Sequence, residues 1–394
     1  MKIDPRIRGF ICTTAHPVGC AMNVHLQVQY VKKNGPIASP AKRVLVLGCS
    51  TGYGLASRIV STFACGADTI GVSFEKEPTE TKTATAGWYN NRAFENEAKA
   101  AGKKAITIDA DAFSFETKAN VVAAIKEHLG QVDLVIYSMA APVRTDPKTG
   151  VTYRSAIKPL GGKAKIKNLN TDKGEIFDAE MEPATPEETA ATVKVMGGED
   201  WELWIDALAE GGVLAPNFLT LDYTYLGSEM TWPIYWKATL GEAKKDVDRA
   251  AAAIRAKRGK AAARVVALKA VVTQASAAIP LVTLYGAVLI KVMNEMSLGE
   301  GCIEQIDRLF RTRLWKADAP PLDEDMRVRL DDWELSDKVQ TEMRRRWPLL
   351  TTETLPELGD LPGFRSEFLK LFGFGLAGVD YSADVDPRIV PAIA

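Results

Sequence analysis

The sequence predicts an α/β fold: a doubly wound, mostly parallel sheet of the Rossmann type, flanked by helices on both faces. Between residues 43 and 141, short apolar runs rich in β-branched residues alternate with longer segments of helical character. A glycine-rich turn follows the first of these runs. Parallel strands joined by helices must be covered on both faces, so this alternation indicates a layered sheet.

The elements of this first region follow one another without a break in the pattern. The predicted strands are Arg43–Cys49, Thr69–Glu75, Lys104–Asp109 and Val132–Ser138, and the helices between them are Tyr53–Cys65, Tyr89–Ala101 and Glu116–Leu129. After Ala141 the pattern changes to short β-prone pieces with turn signals at Pro147–Gly150 and Asp172–Gly174. Residues 142–184 are therefore predicted to be an insertion of β-hairpins.

Regular alternation resumes at Thr185, where Thr-Pro-Glu-Glu offers an N-cap, a proline at the first helical position and a glutamate three residues after the cap. The remaining predicted elements are a fifth strand at Asn217–Tyr225, a helix at Leu240–Arg255, a sixth strand at Val265–Thr273 and an apolar helix at Pro280–Met296. We interpret residues 1–394 as a single domain built around one sheet.

Composition excludes several classes of protein. The chain has 394 residues, of which 46% are hydrophobic and 25% charged, and a net charge of −1, which argues against disorder, collagen and a polycation that coats nucleic acid. We find no apolar stretch long enough for a membrane span, and the N-terminal MKIDPRIRGF lacks an apolar signal segment. We therefore expect a cytoplasmic protein without a nucleic-acid partner.

Cysteine and histidine give no support to a metal centre or a nucleophilic dyad. The five cysteines are scattered without a C-x-x-C pair, so we expect reduced thiols, no disulfides and no metal. His16 and Cys20 are close in sequence, but no carboxylate that could orient the histidine follows closely. His128 suits a helix C-terminus, where the helix dipole favours it.

The glycine-rich turn predicts a dinucleotide site. Gly48, Gly52 and Gly54 lie between the first strand and the first helix of the alternating region. Glycine lets the backbone approach a pyrophosphate, and the helix N-terminus offers free N–H groups and a positive dipole end. The spacing Gly-x-x-x-Gly-x-Gly differs from the G-x-G-x-x-G fingerprint, so the prediction depends on the strand and helix around it.

Glu75 at the end of the second strand favours NADH over NADPH. A carboxylate there can accept hydrogen bonds from the adenosine ribose and would repel a 2′-phosphate. The alternative is a solvated glutamate, and the neighbouring Lys76 weakens the argument. Further cofactor contacts are expected where the later strands end, because ligands of open α/β sheets lie in that crevice. Asp111, at one of these ends, is alternatively an N-cap.

Reduction of a carbonyl or enoyl substrate needs a hydrogen-bond donor for the developing oxyanion, and a tyrosine with a nearby lysine commonly provides it. A lysine charge would lower the pKa of the phenol. Tyr235 and Lys244 are nine positions apart and would face opposite sides of one regular helix. If they cooperate, the helix must begin or distort between them, and Pro233, Thr239 and Gly241 favour a late start with Tyr235 on the lead-in. The alternative for Tyr235 is a buried aromatic that packs beside Trp232 and Trp236.

The chain strongly resembles the FabV-type enoyl reductase and trans-2-enoyl-CoA reductase family, enlarged relatives of the short-chain dehydrogenases/reductases. The resemblance covers almost the whole chain. It rests on Gly48-Cys-Ser-Thr-Gly-Tyr-Gly-Leu-Ala, Gly87-Trp-Tyr-Asn-Asn, Asp111-Ala-Phe-Ser, Val272-Thr-Gln-Ala-Ser, Glu300-Gly-Cys-Ile-Glu-Gln and the eight residues between Tyr235 and Lys244.

The resemblance implies roles for particular residues. Tyr235 would donate the proton and stabilise the oxyanion, Lys244 would be a charge partner and cofactor ligand, and Tyr225 would contact the substrate. The residues implied to bind NADH are Gly48, Cys49, Ser50, Thr51, Gly52, Tyr53, Phe74, Glu75, Asp111, Ala112, Met139, Ala140, Lys244, Thr273, Gln274 and Ala275. Ser276 could donate a hydrogen bond there or simply cap the next helix.

The predicted reaction is NADH-dependent reduction of the C2=C3 bond of trans-2-enoyl thioesters in fatty acid synthesis. Carbonyl-reducing relatives typically carry a serine about a dozen residues before the tyrosine, whereas Asp222 lies near that position here. The insertion and the segment Ile279–Met296 are expected to shape the acyl pocket. Two rivals remain, a carbonyl oxidoreductase and a non-catalytic dinucleotide sensor. The thioester carrier, acyl carrier protein or coenzyme A, stays open, and we expect a monomer.

Overall fold

Seven parallel strands form the central sheet of the chain. Residues 1–8 and 11–393 are described by a computed structural model. Short strands also pair outside this sheet. In chain order, the strands of both kinds are β1 (Ile7–Arg8), β2 (Ile11–Cys12), β3 (Arg43–Leu47), β4 (Asp68–Ser73), β5 (Ala105–Asp109), β6 (Val132–Tyr137), β7 (Val143–Thr145), β8 (Thr152–Arg154), β9 (Ala164–Asn170), β10 (Glu175–Met181), β11 (Leu214–Tyr225), β12 (Ala263–Leu268) and β13 (Arg327–Arg329).

The helices cover both faces of this sheet and extend to the C-terminal region. They are α1 (Pro17–Lys33), α2 (Gly52–Phe63), α3 (Ala86–Ala100), α4 (Phe115–His128), α5 (Pro186–Met196), α6 (Glu199–Glu210), α7 (Thr239–Arg258), α8 (Gln274–Ala277), α9 (Val282–Glu295), α10 (Cys302–Leu309), α11 (Asp337–Arg346), α12 (Leu355–Leu358) and α13 (Leu361–Lys370), with a π-helical turn at Phe310–Leu314 and a 3₁₀ turn at Trp347–Leu349. Among the described residues, no helix is long and apolar enough to cross a membrane.

The strand order creates a crevice at the centre of the sheet. The order is β13-β12-β11-β6-β3-β4-β5, and all neighbouring pairs are parallel. From β3 the chain builds outward through β4 and β5, then returns to the other side of β3 and continues through β6. Because the direction of winding reverses between β3 and β6, the carboxyl ends of these strands open into a ligand crevice. The predicted doubly wound fold is confirmed.

Two apolar layers hold the helices to the sheet. On one face, α1, α2 and α10 pack against the strands through buried side chains such as Val28, Ile59 and Ile306. On the other face, α4, α6 and α7 cover the sheet, and Trp201 and Trp204 are fully buried there. These two side chains are therefore part of the core and not available to an aromatic binding surface. The two layers leave the carboxyl edge of the sheet open for polar side chains.

The insertion consists of two antiparallel hairpins, β7–β8 and β9–β10. Between them, the chain pairs with the segment that precedes α7 through a bridge between Pro159 and Ala238. The Thr239 amide donates to the Lys158 carbonyl at 3.1 Å. The hairpin β9–β10 packs on α9 through Ile166 and other apolar side chains. The insertion therefore supports the turn that carries Tyr235.

Several predicted element ends need correction. The second strand ends at Ser73 rather than Glu75, and the sixth ends at Leu268 rather than Thr273, because both segments stop pairing with the neighbouring strands at the crevice. The apolar helix begins at Val282 rather than Pro280, since Leu281 has a positive φ of 65° that no regular helix contains. A seventh strand, β13, was not predicted, because its three residues carry no periodic signal.

Candidate active site

The phosphate turn joins β3 to α2 at the centre of the crevice. Gly48 has a φ of +80°, and a Cβ atom there would lie 2.2 Å from the Ser138 carbonyl oxygen, so only glycine fits. Thr51 is the N-cap residue, but its side chain makes no capping hydrogen bond, so it leaves the first amides of α2 free to bind an anion. These residues fit the pyrophosphate of a dinucleotide.

Tyr53 points away from this turn into the protein. Its hydroxyl lies 2.9 Å from the Lys269 carbonyl and 2.8 Å from Oε1 of Gln305, and the rest of the side chain is partly buried. Cys49 is fully buried. These side chains anchor the turn to β12 and the core. Cys49 could therefore reach a cofactor only through its backbone atoms, and the Tyr53 hydroxyl is already engaged by the protein.

Glu75 lies directly beside the phosphate turn. Its Oε1 atom accepts a hydrogen bond from the Ser50 hydroxyl at 2.6 Å. Burial raises the pKa of Glu75, and the hydrogen bond from Ser50 opposes this shift. Phe74 is 79% exposed and offers an apolar surface at the crevice rim, whereas Lys76 is an exposed residue outside this contact. The structure thus places the Glu75 carboxylate beside the phosphate turn.

The other predicted cofactor positions follow strand ends on the same edge. Asp111 is not the N-cap of α4, because that position is taken by Ser114, whose hydroxyl accepts from the Thr117 amide at 3.0 Å. The Asp111 carboxylate accepts instead from the Phe113 amide at 3.0 Å. The Ala112 carbonyl accepts from the buried Lys118 ammonium at 2.9 Å. Lys118 of α4 therefore holds this loop in place, and Asp111 lies at the crevice.

Two further segments complete this edge. Met139 and Ala140 follow β6 and are partly or fully exposed. Thr273 is the N-cap of α8, and Gln274 and Ala275 are exposed in its first turn. Ser276 is the third helical residue rather than the cap, and its hydroxyl donates to the Val271 carbonyl at 2.7 Å. The structure therefore brings every predicted cofactor segment to one edge of the sheet.

Tyr235 lies on a tight lead-in to α7. Its amide donates to the Thr231 carbonyl at 3.0 Å, its carbonyl accepts from the Gly241 amide at 2.8 Å, and α7 begins at Thr239. The helix thus begins between Tyr235 and Lys244, as helix geometry required. A Cβ atom on Gly241 would lie 1.9 Å from the Trp236 carbonyl oxygen, so glycine permits this close turn. The Tyr235 hydroxyl makes no hydrogen bond to any described residue.

The electrostatics of Tyr235 differ from the expectation. Burial raises the pKa of Tyr235, so the expected lowering of this phenol pKa by Lys244 is wrong for this arrangement. Lys244 is half-buried in the second turn of α7. Its positive charge lowers the pKa of Asp222, but burial has the larger effect and raises that pKa to about 7. A neutral phenol at physiological pH is a hydrogen-bond donor, which is the state that an oxyanion needs.

Tyr225 is held in a network that the sequence did not reveal. Its ring packs edge-on against Tyr235 with the centroids 4.8 Å apart. Its hydroxyl donates to Oε1 of Glu334 at 2.9 Å. Glu334 is fully buried, and its Oε2 atom accepts from the Ala270 amide at 2.6 Å. No local pattern marks Glu334, because it lies in an irregular acidic segment far along the chain.

A cavity of about 550 Å³ opens beside the phosphate turn. It reaches Thr51 and Gly52 on one side and Ser276 on another. Ile290 and Met293 of α9 line its apolar part. Tyr225 and Tyr235 are not among its lining residues, so this cavity adjoins only part of the predicted site.

The fold and this edge define a dinucleotide-dependent oxidoreductase of the Rossmann type. Three family models match the chain: an NAD(P)H binding domain of trans-2-enoyl-CoA reductase at residues 2–80, a trans-2-enoyl-CoA reductase catalytic region at residues 82–315, and an enoyl reductase FAD binding domain at residues 322–385. The chain belongs to the trans-2-enoyl-CoA reductase family, and the resemblance drawn from its motifs is confirmed.

Individual relatives agree with the family assignment. The chain is 54% identical to an enoyl-[acyl-carrier-protein] reductase [NADH] of Edwardsiella ictaluri, over 99% of this chain and 98% of the relative. It is also 54% identical to the NADH-dependent FabV of Aeromonas salmonicida, with the same coverage. The Treponema denticola trans-2-enoyl-CoA reductase in complex with NAD superposes with a TM-score of 0.95 at 46% identity and covers both chains completely.

The C-terminal segment does not fit the flavin that its family model names. Residues 322–385 contain the three-residue strand β13, a 3₁₀ turn and helices α11–α13, without a strand, glycine turn and helix that could hold a pyrophosphate. The residues that follow β13 include Asp331, Asp332 and Glu334. This segment therefore offers no turn for a flavin pyrophosphate, and it brings Glu334 into contact with Tyr225 instead.

Proposed function

We propose that the chain reduces the C2=C3 double bond of trans-2-enoyl thioesters with NADH, and that Tyr235 and Lys244 serve this reaction. The observation that carries the proposal is the position of Tyr235: its ring packs against Tyr225 at the carboxyl end of β11, and its hydroxyl makes no hydrogen bond to any described residue. NADH-dependent enoyl thioester reduction is also the activity that the names of the relatives give for those proteins.

Tyr235 supplies the group that the chemistry needs. When bound, NADH supplies the hydride that adds to C3 of the substrate. The extra electron pair then moves to the thioester oxygen as an enolate, and the Tyr235 hydroxyl donates a hydrogen bond to that oxygen. A proton reaches C2 to complete the saturated thioester. Burial keeps the phenol protonated, so no step is needed to prepare the donor.

Lys244 and Glu75 bind rather than react. Lys244 lies in the second turn of α7, where its ammonium would bond ribose hydroxyls of NADH, and Glu75 would hold the adenosine ribose and disfavour a 2′-phosphate. The remaining predicted cofactor segments supply backbone and side-chain contacts along the strand ends. Support for these assignments is positional, because all of these segments meet at one edge of the sheet.

Two other functions fit this site less well than enoyl reduction. A dinucleotide sensor has no need for an unengaged phenol at the cofactor edge. A carbonyl reductase would have a serine where this chain has Asp222, which is buried and whose pKa burial raises to about 7. Both observations favour enoyl reduction. Fatty acid synthesis, a cytoplasmic location, a monomer, and the choice between acyl carrier protein and coenzyme A stay our predictions for this chain.

The test compares turnover by the native protein and by Tyr235→Phe. NADH consumption would be followed with crotonyl-CoA and with an enoyl-acyl carrier protein, and repeated with NADPH. Loss of one oxyanion donor typically lowers kcat by about 100- to 1,000-fold. The Tyr235 hydroxyl makes no hydrogen bond to any residue that the structure describes, so its removal should leave stability and NADH affinity unchanged. Full activity in Tyr235→Phe would refute the role of Tyr235, and no turnover on either carrier would refute the reaction.

A further inference from the structure

Glu334 is a buried carboxylate in contact with three parts of the active site. It follows β13 and is fully buried. Its Oε1 atom accepts from the Tyr225 hydroxyl at 2.9 Å and from the Tyr285 hydroxyl of α9 at 2.7 Å. Its Oε2 atom accepts from the Ala270 amide at 2.6 Å. One carboxylate thus joins the end of β11, the segment that leads to Thr273, and the helix proposed to shape the acyl pocket.

The charge of Glu334 is balanced by hydrogen bonds rather than by an ion pair. No described Lys, Arg or His side chain lies within 4.0 Å of its oxygens. The ammonium of Lys269, whose charge favours the ionised form of Glu334, donates instead to the Ala270 carbonyl at 2.8 Å. Burial raises the pKa of Glu334, and the three donors and Lys269 oppose this shift. Burying a carboxylate is costly, so a site that retains one gains something from its acceptor character.

The direction of these hydrogen bonds distinguishes the two tyrosines. A phenol has one proton, and Tyr225 donates its proton to Glu334. Tyr225 can therefore offer a substrate only its oxygen lone pairs and its ring. Within residues 1–8 and 11–393, no group accepts the proton of the Tyr235 hydroxyl, so that proton remains available. The two rings pack edge-on at 4.8 Å, so a fixed Tyr225 also limits where the Tyr235 ring can lie.

We propose that Glu334 is a positioning residue of the active site. It accepts the hydrogen bond from Tyr225 and so fixes the Tyr225 ring, which packs against Tyr235 and limits where the Tyr235 ring can lie. Tyr235 is the phenol that donates to the substrate oxygen. The inference rests on the proposed function. It also assigns a task to the C-terminal segment, which brings Glu334 to the carboxyl edge of the sheet after β13 has paired with β12. Tyr225 would then contact the substrate through its ring or as an acceptor.

The variant Glu334→Gln tests this arrangement with little change in shape. An amide can accept both phenols with its oxygen, but its NH₂ group then faces the Ala270 amide, donor against donor. If the amide is reversed, Ala270 is satisfied and the NH₂ group faces Tyr225, whose hydroxyl must turn its proton elsewhere. Either way the positions that Glu334 fixes are lost. We expect kcat with crotonyl-CoA and NADH to fall by at least about 10-fold.

A double-mutant cycle separates positioning from a general structural role. If Glu334 acts through Tyr225, adding Tyr225→Phe to Glu334→Gln should lower kcat by less than about twofold further, although Tyr225→Phe alone lowers it clearly. Tyr223→Phe is the matched control, because it removes another buried phenol of β11, which lies 2.7 Å from the Ser57 hydroxyl. We expect that control to leave kcat unchanged within about twofold.

The outcomes are decisive in both directions. Multiplicative losses in the double variant, or a Glu334→Gln variant with native kcat, would overturn the positioning role. If Glu334→Gln fails to fold, Glu334→Asp takes its place in the cycle, because it keeps the charge but shortens the reach by one methylene. Failure of the proposed function would be visible separately, as an absence of enoyl thioester turnover by the native protein.

Discussion

Gly87→Ala should weaken NADH binding by displacing Glu75. Gly87 is the second residue of α3, and an alanine Cβ there would lie 2.0 Å from Oε1 of Glu75 and 2.7 Å from Cβ of Ser50. An ordinary contact needs about 3.5 Å, so the carboxylate must move by more than about 1 Å. Such a move breaks the 2.6 Å hydrogen bond from Ser50 and takes the carboxylate away from the proposed ribose position.

The expected size follows from the hydrogen bonds lost. A hydrogen bond to a charged group contributes about 1.5–3 kcal/mol, which corresponds to roughly a 10- to 100-fold increase in the Kd for NADH. Folding stability should fall by about 0–2 kcal/mol, because alanine favours a helix over glycine by about 1 kcal/mol and offsets part of the crowding, which costs about 1–3 kcal/mol. The loss of NADH binding should therefore exceed the loss of folding stability.

The assay is NADH binding, measured by fluorescence and calorimetry well below the unfolding temperature, for Gly87→Ala, Glu75→Ala and the double variant. If the methyl group acts by displacing the carboxylate, Gly87→Ala should have little further effect once Glu75 is replaced. A Kd for NADH within twofold of the native value in Gly87→Ala would refute the reasoning. Equal losses with and without Glu75 would place the effect at Ser50 instead.

Three further changes have defined outcomes. Glu75→Ala should raise kcat/KM with NADPH relative to NADH by at least about 10-fold, since a negative charge near the 2′-phosphate is removed; unchanged selectivity would contradict its assignment. In Asp222→Asn, stability should lose a pH dependence: burial raises the pKa of Asp222 from 3.8 to about 7, so the native protein binds more protons than the unfolded chain and loses stability as pH rises between these values. From pH 4 to pH 8, the free energy of unfolding of the variant, measured in urea, should therefore rise by up to roughly 4 kcal/mol relative to that of the native protein. A difference in unfolding free energy that stays constant over this pH range would contradict the assignment. Ile290→Ala should change the preference between short and long enoyl-CoA substrates more than the Kd for NADH, because Ile290 lines the apolar part of the cavity, and equal effects would remove α9 from the acyl pocket.

Much of the sheet could be predicted because its signals are local. Strands β3 to β6 and the helices between them are marked by short apolar runs and by helical periodicity, each of which is contained in a few consecutive residues. The predicted strand ends differ more from the structure, since β4 and β12 end where the chain enters the crevice and not where the apolar residues end. The strand β13 is too short to carry a period, and its place beside β12 depends on the whole C-terminal region.

A glycine turn after β3, the segments at the strand ends, and a break in regular helix between Tyr235 and Lys244 could all be predicted from the sequence. These features follow from glycine stereochemistry and the helical repeat, which act over a few residues. The contact between Glu334 and the hydroxyl of Tyr225, 109 residues earlier in the chain, became visible only in the folded structure. Contacts between distant segments depend on how all the layers pack, and no short stretch of sequence contains that information.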